Sequence, residues 1–217
     1  MEDYVTFILK TRGMRHVNRY TQCPSIRPNN VAEHSYYVSL YSILIYNYLC
    51  GEKMSMEHIG RISSYAIFHD MHEGISVEIP HNVKRKNKSE SLNIEDMASS
   101  ELYGGTFISK HIGKMNESVS DDNFDMEIVK IADMLDVLIY ATEEFKMGNK
   151  FYLPIISEIK YSLKRVIGTF DKKHSTTESG RMGVFYNSLI SMLKLNNVDE
   201  SELDMESMTH IDKGFKV

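Results

Sequence analysis

The sequence predicts an all-α protein built as a single compact bundle of helices. Only four prolines occur in 217 residues, and apolar residues recur at three- and four-residue spacing over long stretches, as in amphipathic helices. Alternation of the kind that marks a strand never continues for more than four residues. We expect one domain over residues 1–195 and a polar, poorly ordered tail over residues 196–217.

Short polar residues and glycines mark the ends of the predicted helices. Asn29 or Asn30 is expected to cap the second helix, since a short polar side chain accepts a hydrogen bond from the first turn. Three such residues, 121–123, begin the fifth helix, and a glycine pair at 104–105 interrupts the fourth. A polar loop is expected over residues 171–181. The predicted helices cover residues 4–10, 30–50, 55–70, 89–112, 121–146, 154–169 and 182–195.

The composition is that of a soluble globular protein. Hydrophobic residues make up 42% and charged residues 25% of the chain, which excludes wholesale disorder. Lysine and arginine number 25 against 30 acidic residues, a net charge of −5, so no overall positive field attracts nucleic acid. The longest apolar stretch is too short to span a membrane, and the amino terminus lacks a signal-peptide pattern. We expect a cytoplasmic protein without nucleic-acid or membrane partners.

The pair His69-Asp70 follows the apolar residues 66–68 at the end of a predicted helix. Burial of an imidazole and a carboxylate is costly unless they pair with each other or bind a cation. The pair therefore indicates a metal site or, as the simpler alternative, a histidine near the negative end of the helix dipole beside a solvated aspartate.

Two further residues favour the metal interpretation. His34 lies one turn into the second predicted helix, and Asp133 lies within the apolar face of the fifth. Together with His69 and Asp70 they supply two imidazoles and two carboxylates. This mixed set suits a divalent first-row metal better than calcium or a thiolate site, and it leaves coordination positions for water and substrate.

The order of these residues also carries a family resemblance. A histidine, an HD pair and an aspartate follow one another, with Asn-Arg-Tyr before them and Glu-Ile-Pro and Val-Lys after the HD pair. Over about residues 12–150 this arrangement resembles the HD-domain phosphohydrolases, and most of all the bacterial 5'-deoxynucleotidases that act on deoxynucleoside monophosphates. The resemblance implies an HD-domain bundle, a homodimer, and a divalent ion such as cobalt, manganese or zinc. The matching segments are residues 18–20, 30–35, 69–73, 78–84 and 130–133.

The resemblance implies roles for five more residues. Glu73 would position or deprotonate the attacking water, and Glu78 would assist the leaving group. Arg19 would grip phosphate oxygens with its planar guanidinium, and Lys84 would contact phosphate. Tyr20 stands where the deoxynucleotidases usually have tryptophan, whose ring packs on the sugar. The simpler alternatives are a solvated helix-end acid for Glu73 and an ordinary core aromatic for Tyr20.

Two departures from the family pattern keep other functions open. Residues 76–80 read SVEIP where the family commonly reads TGDIP, so Glu78 replaces an aspartate and Val77 a glycine. Residues 84–88 form a dense basic run, which is either a solvated loop or a cradle for a longer polyphosphate. We therefore expect a deoxynucleoside monophosphate phosphohydrolase, with two alternatives. One is a hydrolase of deoxynucleoside triphosphates, of the dATP type, and the other is a non-catalytic HD fold that binds nucleotides.

Overall fold

The protein is all-α, as the sequence predicts, with helices joined by turns and one longer irregular segment in the part that the structure describes. The computed structural model describes residues 2–76, 87–104, 106, 124–174 and 180–196. Within these ranges the regular secondary structure consists of helices alone. The only extended pairing within these ranges is an isolated bridge between Asn18 and Asn30. Several expectations lie outside the described residues: those for residues 77–86, which include most of the basic run, for residues 105 and 107–123, for residues 175–179 of the polar loop, and for the tail beyond residue 196.

Two helices, α2 and α3, begin at short polar residues, as the sequence predicts. Asn30 is the N-cap of α2, and its side chain accepts the Glu33 N–H at 3.0 Å. Ser55 caps α3 in a capping box with His58. The described α-helices are α1 (Glu2–Thr11), α2 (Val31–Cys50), α3 (Met56–Phe68), α4 (Glu73–Ser76), α5 (Lys88–Tyr103), α6 (Phe124–Lys146), α7 (Leu153–Lys173) and α8 (Arg181–Met192).

One helix ends at its predicted interruption, and the predicted end of another is wrong. Helix α5 ends before Gly104, whose backbone is extended (φ −50°, ψ 134°), at the glycine pair that the sequence predicts to interrupt this helix. Helix α7 continues to Lys173, into the predicted polar loop. Its last turn makes tertiary contacts that favour the helix, because the Asp171 carboxylate accepts the Gly183 N–H at 3.0 Å and Lys173 pairs with Glu127 at 2.7 Å.

The main core lies between α2, α3, α6, α7 and α8. Helix α2 packs against α3 and α6, and α6 packs in turn against α7, so α6 is surrounded by helices on several sides. Because α2 and α6 lie side by side, residues on their facing sides are buried together. The fully buried residues of this core include Val38, Ile62, Ile128, Ile131, Leu138, Ile156 and Leu163.

A second, smaller core lies under the turn that follows α3. Met71 from that turn packs with Met14, Val31, Leu102 and Tyr103. This cluster joins the HD turn to the start of α2 and the end of α5, so the turn is supported from two helices. No described helix is both long and apolar enough to cross a membrane.

Candidate metal and substrate site

Three elements bring the four predicted metal ligands together. His34 lies one turn into α2, His69 and Asp70 come from the turn after α3, and Asp133 comes from α6. Nε2 of His34 lies 3.5 Å from Oδ2 of Asp70 and 3.2 Å from Oδ1 of Asp133. Nε2 of His69 lies 3.3 Å from the same Asp70 oxygen. One donor atom from each of His34, His69 and Asp70 lies within 4.8 Å of the others.

A hydrogen bond at Nδ1 holds each histidine ring on the side opposite its Nε2 atom. Nδ1 of His34 lies 2.7 Å from Oδ2 of Asp136, and Nδ1 of His69 lies 2.6 Å from the Ala66 carbonyl oxygen. A carboxylate and a carbonyl oxygen accept hydrogen bonds, so Nδ1 is protonated in each ring and Nε2 is the atom that can bind a metal. Each Nε2 atom is left buried within the described part of the chain without a well-formed hydrogen bond, which is costly unless a ligand satisfies it. Two such nitrogens beside two carboxylates fit a divalent metal.

Three carboxylates, those of Asp70, Asp133 and Asp136, surround the His34 ring and make the site favourable for a positive charge. Burial and the nearby Arg19 guanidinium oppose protonation of His34, but the carboxylates of Asp133, Asp136 and Asp70 outweigh them and raise its pKa to about 10. Carboxylates that stabilise an imidazolium will also stabilise a metal cation in the same place, since binding displaces the proton.

The carboxylates of the cluster remain ionised. Burial opposes ionisation of Asp70, but the neighbouring His69, His34 and Arg19 hold its pKa well below the usual range. Burial likewise opposes ionisation of Asp133, and the same three neighbours, His34 foremost, lower its pKa. Both side chains are therefore available as anionic ligands at neutral pH.

Arg19 lies against this cluster. Its Nη1 atom is 3.2 Å from Oδ2 of Asp70, and its side chain is only 11% exposed. The backbone on either side is tied to the entry of α2, because Arg19 N–H donates to the Asn29 carbonyl at 2.8 Å and Val31 N–H donates to the Val17 carbonyl at 3.0 Å. The guanidinium is thus a cation positioned directly beside a candidate metal ligand.

Tyr20 occupies an unusual backbone conformation next to Arg19. Its φ is +58°, a left-handed geometry that costs a non-glycine residue roughly 1–2 kcal/mol. Its ring stacks on Tyr140 at a centroid distance of 5.0 Å and meets the edge of Tyr152 at 5.9 Å. The Arg19 guanidinium lies 5.7 Å from its ring centroid. The ring therefore bridges the Arg19 side chain and the main core.

Glu73 begins the short helix α4, one tight turn after Asp70. The Glu73 N–H donates to the Asp70 carbonyl at 3.0 Å, so the chain folds back immediately after the HD pair. Glu73 is only 4% exposed, and the alternative of a solvated helix-end acid is therefore wrong. The predicted site residues Glu78 and Lys84 lie outside the described residues.

The segment that carries Arg19 is anchored to the end of α6 by a buried carboxylate. Glu144 is fully buried and accepts hydrogen bonds from the N–H groups of Ile26 and Arg27 at 2.8 and 2.7 Å, and from Nδ2 of Asn149 at 2.7 Å. Burial alone would raise the pKa of Glu144, but these donors lower it. The carboxylate therefore holds the irregular segment between α1 and α2 in one place.

Comparison with known proteins identifies the family. The family described as 5'-deoxynucleotidase YfbR-like matches residues 6–172, which is more than half of the chain and includes every described site residue. The chain belongs to the YfbR-like family. The family resemblance deduced from the motifs is thereby confirmed.

Relatives named 5'-deoxynucleotidase match this YfbR-like chain over most of its length. The 5'-deoxynucleotidase YfbR of Salmonella arizonae is 26% identical over 189 residues, which are 82% of this chain and 89% of the relative. The 5'-deoxynucleotidase plu3092 of Photorhabdus laumondii is 26% identical over 187 residues, 82% of this chain and 90% of the relative. These names support a nucleotide phosphohydrolase.

Solved structures of HD phosphohydrolases share the fold of this YfbR-like protein. An HD-domain phosphohydrolase from Listeria innocua aligns with a TM-score of 0.65 at 17% identity, covering 94% of this chain and 96% of that one. The cyanophage S-2L HD phosphohydrolase DatZ, bound to dA and one catalytic Zn²⁺ ion, aligns with a TM-score of 0.56 at 12% identity, covering 85% and 96%. The predicted HD-domain fold is thereby confirmed.

Two side chains of the site were not expected from the sequence. Asp136 lies one helical turn after Asp133, and its spacing within the apolar face of α6 is a signal that could have pointed to it. Glu144 stands at the end of the same helix, in a pair of acidic residues that reads as solvent-exposed. It differs from its neighbour Glu143 in being buried and in accepting the backbone N–H groups of Ile26 and Arg27, more than 110 positions earlier, whereas the exposed Glu143 pairs with the Arg27 side chain.

Proposed function

We propose that this protein is a divalent-metal-dependent phosphohydrolase that converts deoxynucleoside monophosphates and water to deoxynucleosides and phosphate. The observation that carries the proposal is the convergence of two unsatisfied histidine nitrogens and two ionised carboxylates, with the Arg19 guanidinium beside Asp70. A metal site next to a phosphate-binding cation is what hydrolysis of a phosphate ester requires. Membership of the YfbR-like family and the names of the relatives support monophosphates as substrates.

The proposed ligands are Nε2 of His34, Nε2 of His69 and the carboxylates of Asp70 and Asp133. A divalent ion bound there supplies Lewis acidity, which lowers the pKa of a coordinated water from about 15.7 to about 7 and balances phosphate charge. The donor set suits zinc, cobalt or manganese alike. The zinc ion reported for the DatZ structure makes zinc the first metal to test.

The remaining residues act on the phosphate, the water and the sugar. Arg19 holds the phosphate oxygens, which offsets the negative charge that otherwise repels the nucleophile. Glu73 positions the water and accepts its proton as the new P–O bond forms. Lys84 contacts the phosphate, and Tyr20 packs on the deoxyribose. Glu78 assists departure of the 5'-oxygen by giving it a proton as the old P–O bond breaks, and the proton that Glu73 takes from the water keeps the overall balance.

A panel of nucleotides tests this proposal. We expect phosphate release from deoxynucleoside monophosphates with added zinc, cobalt or manganese, and no release after removal of the metal with a chelator. Hydrolysis of dATP without hydrolysis of dAMP would assign the protein to the triphosphate class instead. A protein that contains no stoichiometric metal and hydrolyses no nucleotide would be a non-catalytic HD fold.

We also propose a homodimer, which the family resemblance implies. An exposed apolar stripe on the outer side of α2 supports the dimer, because a second copy of the chain could cover it. Four residues at i, i+4 spacing form this stripe, and the described residues leave their side chains exposed. They are Tyr36, Leu40, Leu44 and Tyr48. Light scattering should give twice the chain mass of 25.1 kDa, and Leu44→Glu should reduce it to the single-chain value. A single-chain mass for the unmodified protein would reject the dimer.

A further inference from the structure

We propose that Asp136 is a positioning residue that holds His34 in the orientation and tautomer needed to bind a metal ion through Nε2. The inference rests on the proposed metal site and names a residue that acts on it without touching the metal. Asp136 lies on α6 and His34 on α2, 102 positions apart, and both are buried, with 5% and 0% exposure. Their 2.7 Å contact is therefore protected from solvent.

The two aspartates of α6 hold opposite sides of the same ring. Oδ1 of Asp133 lies 3.2 Å from Nε2 of His34, and Oδ2 of Asp136 lies 2.7 Å from Nδ1. Residues three apart on a helix share one face, which is how one helix presents both carboxylates to one imidazole. Asp133 lies on the side of the metal ligands, and Asp136 lies behind the ring. Rotation of the ring would break the contact with Asp136.

The comparison with His69 shows what Asp136 adds. The Nδ1–H of His69 donates to a neutral backbone carbonyl, that of Ala66, whereas the Nδ1–H of His34 donates to a carboxylate. Both partners select the tautomer with a free Nε2, but a carboxylate makes the stronger, charge-assisted hydrogen bond and increases the basicity of the ligand. The two histidines are therefore not equivalent. The metal affinity of His34 depends on the side chain of a residue 102 positions away in the sequence.

A purely structural link between α2 and α6 is the competing explanation, since a buried pair also contributes to packing. The chain offers a matched control on the same helix. Asp125 is buried to a similar degree, 6% exposed, and its carboxylate pairs with Arg61 on α3. Asp125→Asn removes a buried carboxylate from α6 about three turns away from Asp136, and it leaves the metal ligands intact.

Zinc affinity of the full-length protein tests the inference. Each protein is stripped of metal and titrated with zinc in competition with a chromogenic chelator. We expect Asp136→Asn to bind zinc about 10- to 100-fold more weakly than the unmodified protein, the range typical of groups that orient metal ligands. Asp125→Asn should stay within about threefold, since it orients no ligand. In nitrogen NMR of the zinc-loaded protein, the Nδ1–H signal of His34 should shift in Asp136→Asn and stay in place in Asp125→Asn.

The outcomes separate this inference from the proposed function. Equal zinc affinity for Asp136→Asn and the unmodified protein would overturn it, and so would an equal loss in Asp125→Asn. An unmodified protein that binds zinc but hydrolyses no nucleotide would end the proposed reaction, while a weakened Asp136→Asn would still support the positioning role. If the unmodified protein binds no divalent metal, both proposals are rejected, since no ligand remains to be positioned.

Discussion

Nη1 of Arg19 and Oδ2 of Asp70 lie 3.2 Å apart, and the same carboxylate oxygen lies 3.3 Å from Nε2 of His69. One oxygen atom thus joins the cation that we expect to bind phosphate to the side chains that we expect to bind metal. Arg19 could therefore bind the phosphate of the substrate or orient Asp70 for the metal. Measuring substrate affinity and metal affinity in the same Arg19 variant separates these two roles.

Arg19→Ala should weaken substrate binding and leave metal binding intact. Hydrogen bonds to charged groups contribute about 1.5–3 kcal/mol, so the KM for dAMP should rise about 10- to 150-fold. Loss of a cation beside Asp70 should leave zinc affinity unchanged or increase it. Steady-state kinetics and zinc titration of the same protein check both statements, and Arg15→Ala, at an exposed arginine, is the control. A large loss of zinc affinity would mean that Arg19 mainly orients Asp70.

His69→Ala should abolish metal binding at micromolar zinc and reduce kcat/KM by at least about 100-fold, because loss of a ligand exceeds the effect of losing an orienting group. The measurements are metal content after gel filtration and phosphate release from dAMP. His16→Ala removes an exposed histidine and should change neither. Unaltered turnover in His69→Ala would contradict the metal site.

Glu144→Gln should destabilise the protein in a pH-dependent way. A neutral glutamine amide cannot replace a carboxylate that accepts three hydrogen bonds, so we expect a loss of about 2 kcal/mol or more at pH 7. The lowered pKa of Glu144 makes its contribution complete above the ordinary glutamate pKa of about 4.3 and progressively lost below it.

Urea unfolding of both proteins between pH 7 and about pH 3.5 measures this effect. The difference in unfolding free energy between them should narrow as the pH falls below about 4.3. Glu143→Gln, at the exposed neighbouring position, should show a much smaller difference at every pH. A gap of constant size over the whole acidic range would mean that the charge of Glu144 is not what stabilises the segment.

Tyr20 variants distinguish sugar recognition from packing. Tyr20→Leu removes the ring that stacks on Tyr140 and should cost about 1 kcal/mol of stability, while Tyr20→Phe keeps the ring. If the ring packs on the sugar, the ratio of kcat/KM for dAMP over AMP falls in Tyr20→Leu and is retained in Tyr20→Phe. A ratio unchanged in both variants, with only stability lost, would make Tyr20 a core aromatic.

The sequence predicted most of the fold because helix signals are local. The caps at Asn30 and Ser55 act on residues three positions away, so they can be recognised within a few consecutive letters of the sequence. The short helix α4 was missed because four residues cannot display a helical period. The end of α7 was also missed, since its last polar turn is stabilised by contacts with Glu127 and Gly183, which no local pattern contains.

Residue types and their order were enough to select His34, His69, Asp70 and Asp133, because an imidazole or carboxylate within an apolar helix face calls for a partner or a cation. Packing of α2 against α6 was needed to show that Asp136 lies behind the His34 ring. Contacts across the fold likewise showed that Glu144 holds the segment carrying Arg19. The contacts of Asp136 and Glu144 depend on how whole helices lie against each other. Composition and periodicity describe one helix at a time, so they hold no information about contacts between helices.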